Sequence, residues 1–238
     1  NRTVTVRGGY SPGDWGTSSP AIHPTVLDTK GLGRAIRISN SNVRVVLANL
    51  TVINGTAVGL GGGPSNADAG GNVFVNNGQI VLEGVDVVNG RATLGGGLYV
   101  KSPIALVASS NFRNNLATLH GGAIYLDSAP TSVETRSSYF SNNRALDGGA
   151  IYAAAGTPII LGNTLQENQT NGGSGRGGGI YLAASNANVN RNRLESNRAG
   201  LGGGIYIAGG APNLTNNLFI RNVGINNGGA IYSNNTSL

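Results

Sequence analysis

Apolar residues along this chain come in short alternating bursts, each closed by a turn-forming residue. Ala123-Ile124-Tyr125-Leu126 and Ile205-Tyr206-Ile207 are typical. Bursts of about four or five residues with period two predict short β-strands separated by turns. Helical repeats fit poorly, because the intervening residues are Gly, Asn, Ser and Thr, which form helices badly.

The bursts keep a fixed phase. The block Gly-Gly-x-(Ile/Leu/Val)-(Tyr/Phe) begins at Gly70, Gly95, Gly121, Gly148, Gly177, Gly202 and Gly228, in steps of 25, 26, 27, 29, 25 and 26 residues. A second marker, an apolar residue followed by two polar ones and Asn, runs from Phe112 to Asn115, Phe140 to Asn143, Leu165 to Asn168, Leu194 to Asn197 and Phe219 to Asn222. In two earlier copies, Val52 to Gly55 and Val87 to Gly90, Gly takes the Asn slot. A leucine-rich repeat of this length needs a dense Leu pattern that is missing. The expectation is an all-β parallel β-helix, a solenoid of about eight or nine coils with about three short strands per coil. A single domain spans 1–238: residues 1–33 supply a first strand and a capping loop around Trp15, and residues 34–238 supply the coils, with an open C-terminal end. Insertions at 58–69 and 171–176 interrupt the rhythm.

Position in the coil assigns roles. In each tyrosine block the flanking apolar residues face inward, so the aromatic faces outward. This predicts an outward ladder of Phe74, Tyr99, Tyr125, Tyr152, Tyr181, Tyr206 and Tyr232. It can serve as a platform for sugar rings or merely stabilise its own sheet by stacking. Asn115, Asn143, Asn168, Asn197 and Asn222 form a structural ladder at a corner, each amide bonding to its neighbour one coil away. Asn163, Asn192 and Asn217 form a shorter file. Arg91, Arg144 and Arg198 directly follow the Asn slot, and Arg113 and Arg221 lie near the same corner. Such a basic stripe suits acidic polysaccharide or lipid headgroups, or simple solubility.

Composition adds limits. Glycine supplies 40 of 238 residues and Cys none, so there is no disulfide framework, thiol nucleophile or Cys-ligated zinc. The formal charge is +6, from 16 Lys or Arg against 10 Asp or Glu. No apolar run is long enough to cross a membrane as a helix. The chain lacks an initiating Met and stops just after a repeat motif, so it is expected to be a mature or excised segment.

The pairing of Gly121-Gly122-Ala123-Ile124 with Phe140-Ser141-Asn142-Asn143, repeated as Gly228-Gly229-Ala230-Ile231, resembles the repeats of polymorphic outer-membrane proteins. More widely, residues 34–232 resemble bacterial extracellular right-handed β-helix proteins and autotransporter passengers. The resemblance implies a right-handed helix, placement at the bacterial cell surface and a structural or adhesive role.

The rival is an enzyme, since pectate lyases and polygalacturonases share the fold class. These need clustered carboxylates, whereas the carboxylates here are scattered; Asp127, Glu134 and Asp147 can meet only through the fold. His23 and His120 have no partner at i+3 or i+4. No catalytic residue, metal ligand or cofactor is assigned, and nucleic acid is excluded for want of a basic run. The expected function is a non-catalytic surface rod that contacts a glycan or cell-surface partner. The alternatives are a polysaccharide lyase or hydrolase, and a scaffold that self-associates through the open helix end.

Overall fold

The computed structural model describes residues 2–127 and 132–234, so the end expected to be open, at Leu238, lies outside the described residues. Parallel strands build an all-β solenoid of about eight turns. Apart from one 3-10 turn, Pro64–Asn66, no helical element interrupts the described residues.

The expectation of three strands per coil is corrected to four. A representative coil runs Leu98–Lys101, Ile104–Ala108, Asn111–Arg113 and Leu116–His120. Equivalent strands stack into three sheets of eight strands and a fourth of six. We call these the tyrosine, second, third and fourth sheets in that chain order. The fourth arises because the Asn slot ends the third strand in a sharp corner. The residues left before the next Gly pair then join their own counterparts, as Leu116 does with Arg91 and Arg144.

Inward side chains of the tyrosine, second and third sheets fill one continuous core. Leu98 and Val100 meet Ala105, Val107 and Phe112 there, and each neighbouring coil repeats the set. Phe112 and Phe140 are fully buried and stack with ring centroids 5.2 Å apart. Removing each such side chain from water contributes about 1.5–3 kcal/mol.

The fourth sheet passes so close to the Gly corner that small residues are needed. Gly121 turns the chain with φ +64°, and a Cβ on Gly122 would run into the backbone of Gly149 and Arg144. The adjoining inward file is accordingly Ala92, Ala117, Ala145 and Ala199, all buried, with Thr170 in the same file. This packing explains why the glycines come in pairs.

The N-terminal loop does not cap the helix end, contrary to the sequence expectation. Trp15 is 74% exposed, and strand Arg2–Arg7 is exposed along its length. The loop instead packs at the corner between the second and third sheets, beside Asn49, Leu50 and Thr51. Its polar groups find partners there: Asn49 Nδ2 donates to Ser18 Oγ (3.0 Å), Ser18 Oγ to the Gly8 carbonyl (2.9 Å), and the Gly9 N–H to Thr25 Oγ1 (3.1 Å).

Candidate functional site

Two corner ladders fix the frame on which any site is built. Within the first, Asn168 Oδ1 accepts from the Asn143 N–H (3.1 Å) and from Asn143 Nδ2 (3.0 Å). Asn168 Nδ2 donates to the Phe140 carbonyl (2.9 Å) and to Asn197 Oδ1 (3.0 Å). The same pattern links Asn115 to Asn143 and Asn197 to Asn222. Ser138, Asn163, Asn192 and Asn217 form a second column in the same manner, through backbone N–H donation to the next side chain.

The Gly copies of the Asn slot have a cause that the repeat pattern did not reveal. Asn72, from the first Gly-Gly block, occupies the missing ladder position. Its Oδ1 accepts from the Gly55 N–H (2.7 Å) and its Nδ2 donates to the Val88 carbonyl (3.0 Å). A Cβ on Gly90 would collide with the Gly96 carbonyl and the Asn72 amide, so a second Asn has no room.

The tyrosines face away from the main core, but they are not an exposed platform. Tyr99, Tyr125, Tyr181 and Tyr206 are buried, as is Phe74, while Tyr152 and Tyr232 are half-buried. From Phe74 to Tyr232 successive rings stack with centroids 4.6–5.5 Å apart and planes within 14°. One coil per rung puts each ring against the next, so the faces that a sugar would need are already occupied. At one end the 58–69 loop closes over Phe74, held by Arg34. Its guanidinium lies 4.8 Å from the ring centroid and donates to the carbonyls of Ala69 and Gly61.

Farther along, the cover comes from the residues just before each Gly pair. Leu94, His120, Asp147, Arg176 and Leu201 pair in one column. Asp147 is buried and accepts from Arg176 Nε (3.0 Å), Nη2 (2.6 Å) and backbone N–H (3.0 Å). Arg176 also lies over Tyr181 at 5.1 Å, and His120 over Tyr152 at 4.5 Å. Burial lowers the His120 pKa, with Asp147 opposing the shift. The imidazole is therefore neutral near pH 7, and its 3.7 Å approach to Asp147 is not an ion pair. Burial raises the tyrosine hydroxyls: Tyr125 to about 12, and Tyr99, Tyr152 and Tyr181 upward as well. At Tyr99 a hydrogen bond to Asp127 adds to the effect. The sequence signal for this cluster was the position before the Gly pair, where His120, Asp147 and Arg176 stand on successive coils.

The open polar surface lies at the corner between the third and fourth sheets. A groove of about 790 Å³ is lined by Asn54, Asn89, Asn114 and Asn142 on one wall and by Arg91, Leu116 and Arg144 on the other, with Lys30 and the carboxylate of Asp28, which accepts from Asn54 Nδ2 (2.9 Å), also in its lining. Those four Asn residues adopt positive φ (54–62°), which Asn tolerates better than most residues and which makes the turn tight. A second hollow of about 270 Å³ continues the line, between Arg144 and Arg198 under the 171–176 insertion. Thr170 lines it, with a buried hydroxyl that has no hydrogen-bond partner.

The arginines divide by sheet. On the third sheet, Arg113 pairs with Asp86 (3.0 Å), while Arg193 and Arg221 both pair with Glu195 (2.8 and 3.1 Å). On the fourth, Arg91, Arg144 and Arg198 are exposed, and among the described residues none pairs with a carboxylate. The surplus positive charge therefore faces the groove.

The carboxylates considered from sequence have separate partners. Asp127 meets Tyr99 and Lys101, Glu134 meets Arg136 at 3.6 Å, and Asp147 meets Arg176. Among the described residues no group of three or more His, Cys, Asp or Glu stands close enough to share a metal ion, and no helix is long and apolar enough to cross a membrane. Residues 94–238, more than half of the chain, match the family described as the right-handed β-helix region. No curated protein and no solved structure matches the chain.

Proposed function

The chain belongs to the right-handed β-helix family, and from that premise we propose that it is a non-catalytic, extracellular rod for attachment that holds an acidic glycan along the groove between its third and fourth sheets. One observation carries the reading. Three unpaired arginines share a file of the fourth sheet, and the exposed asparagines Asn89, Asn114 and Asn142 line the opposite wall, suited to sugar hydroxyls. The stacked tyrosines are left a structural part. The likeness of the Gly-Gly-Ala-Ile and Phe-x-x-Asn repeats to polymorphic outer-membrane proteins supports the bacterial-surface setting.

The test is binding of the intact chain to immobilised acidic and neutral polysaccharides at low salt. Retention on the acidic matrices, eluted by salt and absent from dextran, is the expected result. Equal passage through all matrices would remove the reading.

A polysaccharide-cleaving activity is the second reading, favoured by His120, Asp147 and Arg176 gathered beside tyrosine hydroxyls. Arg176 already engages both Asp147 oxygens, which disfavours that carboxylate as a free acid or base. Release of unsaturated or reducing ends from an acidic polysaccharide, lost in Asp147→Asn, would establish the enzyme reading instead.

A further inference from the structure

The arginine file has a period of its own. Reading along the fourth sheet, successive rungs carry Arg91, Leu116, Arg144, Gln169 and Arg198. An arginine therefore stands on every second rung, 53 and then 54 residues apart in the chain. At the strand spacing of about 4.8 Å, the charges are about 9.6 Å apart over a run of about 19 Å. The intervening rungs are uncharged, although the Gly-Gly block recurs at every coil. The two-coil period therefore belongs to this file and not to the repeat itself.

We infer that the groove selects a linear polysaccharide bearing one carboxylate or sulfate on every second sugar, laid parallel to the helix axis. The inference rests on the acidic-glycan reading above and names its substrate class. A two-rung interval is close to the length of two linked pyranose rings, so each disaccharide presents its anion to one arginine and its neutral sugar to Leu116 or Gln169. The Asn wall faces the same neutral hydroxyls. Duplex nucleic acid fits worse, since each strand brings a charge every 3.4 Å, and the aromatic faces that single strands stack on are closed within the tyrosine ladder. An anionic membrane presents charge in two dimensions, whereas these arginines form a single file inside a groove.

Isothermal calorimetry tests this with the whole chain and three probes of equal length: hyaluronan oligosaccharides, with a carboxylate on alternate sugars; polygalacturonate oligosaccharides, with one on every sugar; and dextran. Hyaluronan should bind more tightly than polygalacturonate, despite having half the charge, and dextran should not bind. Replacing Arg91, Arg144 and Arg198 together by Gln should weaken hyaluronan binding about tenfold, the combined effect of three exposed charge pairs. The decisive variant is Leu116→Arg with Arg144→Gln, which keeps the net charge but breaks the period. Its affinity for hyaluronan should fall while its thermal melt stays near that of the parent. Hyaluronan affinity unchanged in that variant, or polygalacturonate binding as tightly as hyaluronan in the parent, would overturn the period and leave the acidic-glycan reading standing. Binding of neither acidic probe would overturn both.

Discussion

Replacing Asn168 by Ala tests how the coils are held together. The side chain is fully buried, and its loss leaves the Asn143 N–H without an acceptor while weakening the bonding of Asn143 Nδ2, the Phe140 carbonyl and Asn197 Oδ1. One orphaned buried donor costs about 1–3 kcal/mol, and each of the three weakened partners about 0.5 kcal/mol, for a total of about 2.5–4.5 kcal/mol. Asn168→Asp should cost more, because it keeps the acceptors but turns carboxylate oxygens toward the Phe140 carbonyl and Asn197 Oδ1. Asn142→Ala is the control. Its side chain is exposed, and only the positive φ of 54° is penalised, by about 1 kcal/mol. Because each coil touches only its neighbours, the damage is local. Amide hydrogen exchange should therefore accelerate at Asn143 and at the flanking third-sheet strands, with a matching drop in urea stability. A loss below about 1 kcal/mol, or exchange at Asn143 no faster than two coils away, would refute the ladder's energetic role.

Three further outcomes follow from the same geometry. The raised folded-state values of Tyr99, Tyr125, Tyr152 and Tyr181, set against an ordinary value of 10.0, mean that the unfolded chain loses these protons first. Stability should be intact below pH 10 and fall as the pH rises past it, with the tyrosinate signals of these four residues appearing together with unfolding; titration of these four near pH 10 in a chain that stays folded would contradict the buried stack. Asp147→Asn should cost about 1–3 kcal/mol in denaturant melts, less than for a fully buried pair because Arg176 is partly exposed, and no measurable loss would mean that the pair contributes little. Gly90→Asn should lower stability by about 1–3 kcal/mol through overpacking, and Asn72→Gly in the same chain should recover part of it; a neutral single variant would show that the slot has room.

What the sequence disclosed depended on whether a feature was set by one coil or by several. The Gly-Gly corner and the Asn slot are local and recur, so the solenoid, its register and the Asn file could be read from spacing alone. The fourth strand was missed because it is short and lacks a strong apolar alternation; Arg144–Ala145 and Gln169–Thr170 are strands only through pairing between coils. Period two placed the tyrosines on the outer face of their sheet. It carried no information on the rings above and below, or on His120 and Arg176 folding over them, and these determine exposure. Asn72 looked like an ordinary variable residue of its block, and its ladder role required the Gly55 and Gly90 vacancies to lie beside it in space. The arginine file was visible as a stripe, but its pairing state depended on Asp86 and Glu195 lying on the third sheet and not the fourth.

The most direct test of the groove as the ligand face is an NMR titration of the labelled chain with hyaluronan oligosaccharides, following the arginine Nε and asparagine side-chain signals. The account predicts saturable shifts confined to Arg91, Arg144, Arg198, Asn89, Asn114 and Asn142, with the tyrosine ring signals unmoved. Shifts centred on the tyrosine ladder, His120 or Arg176, with a silent arginine file, would contradict it.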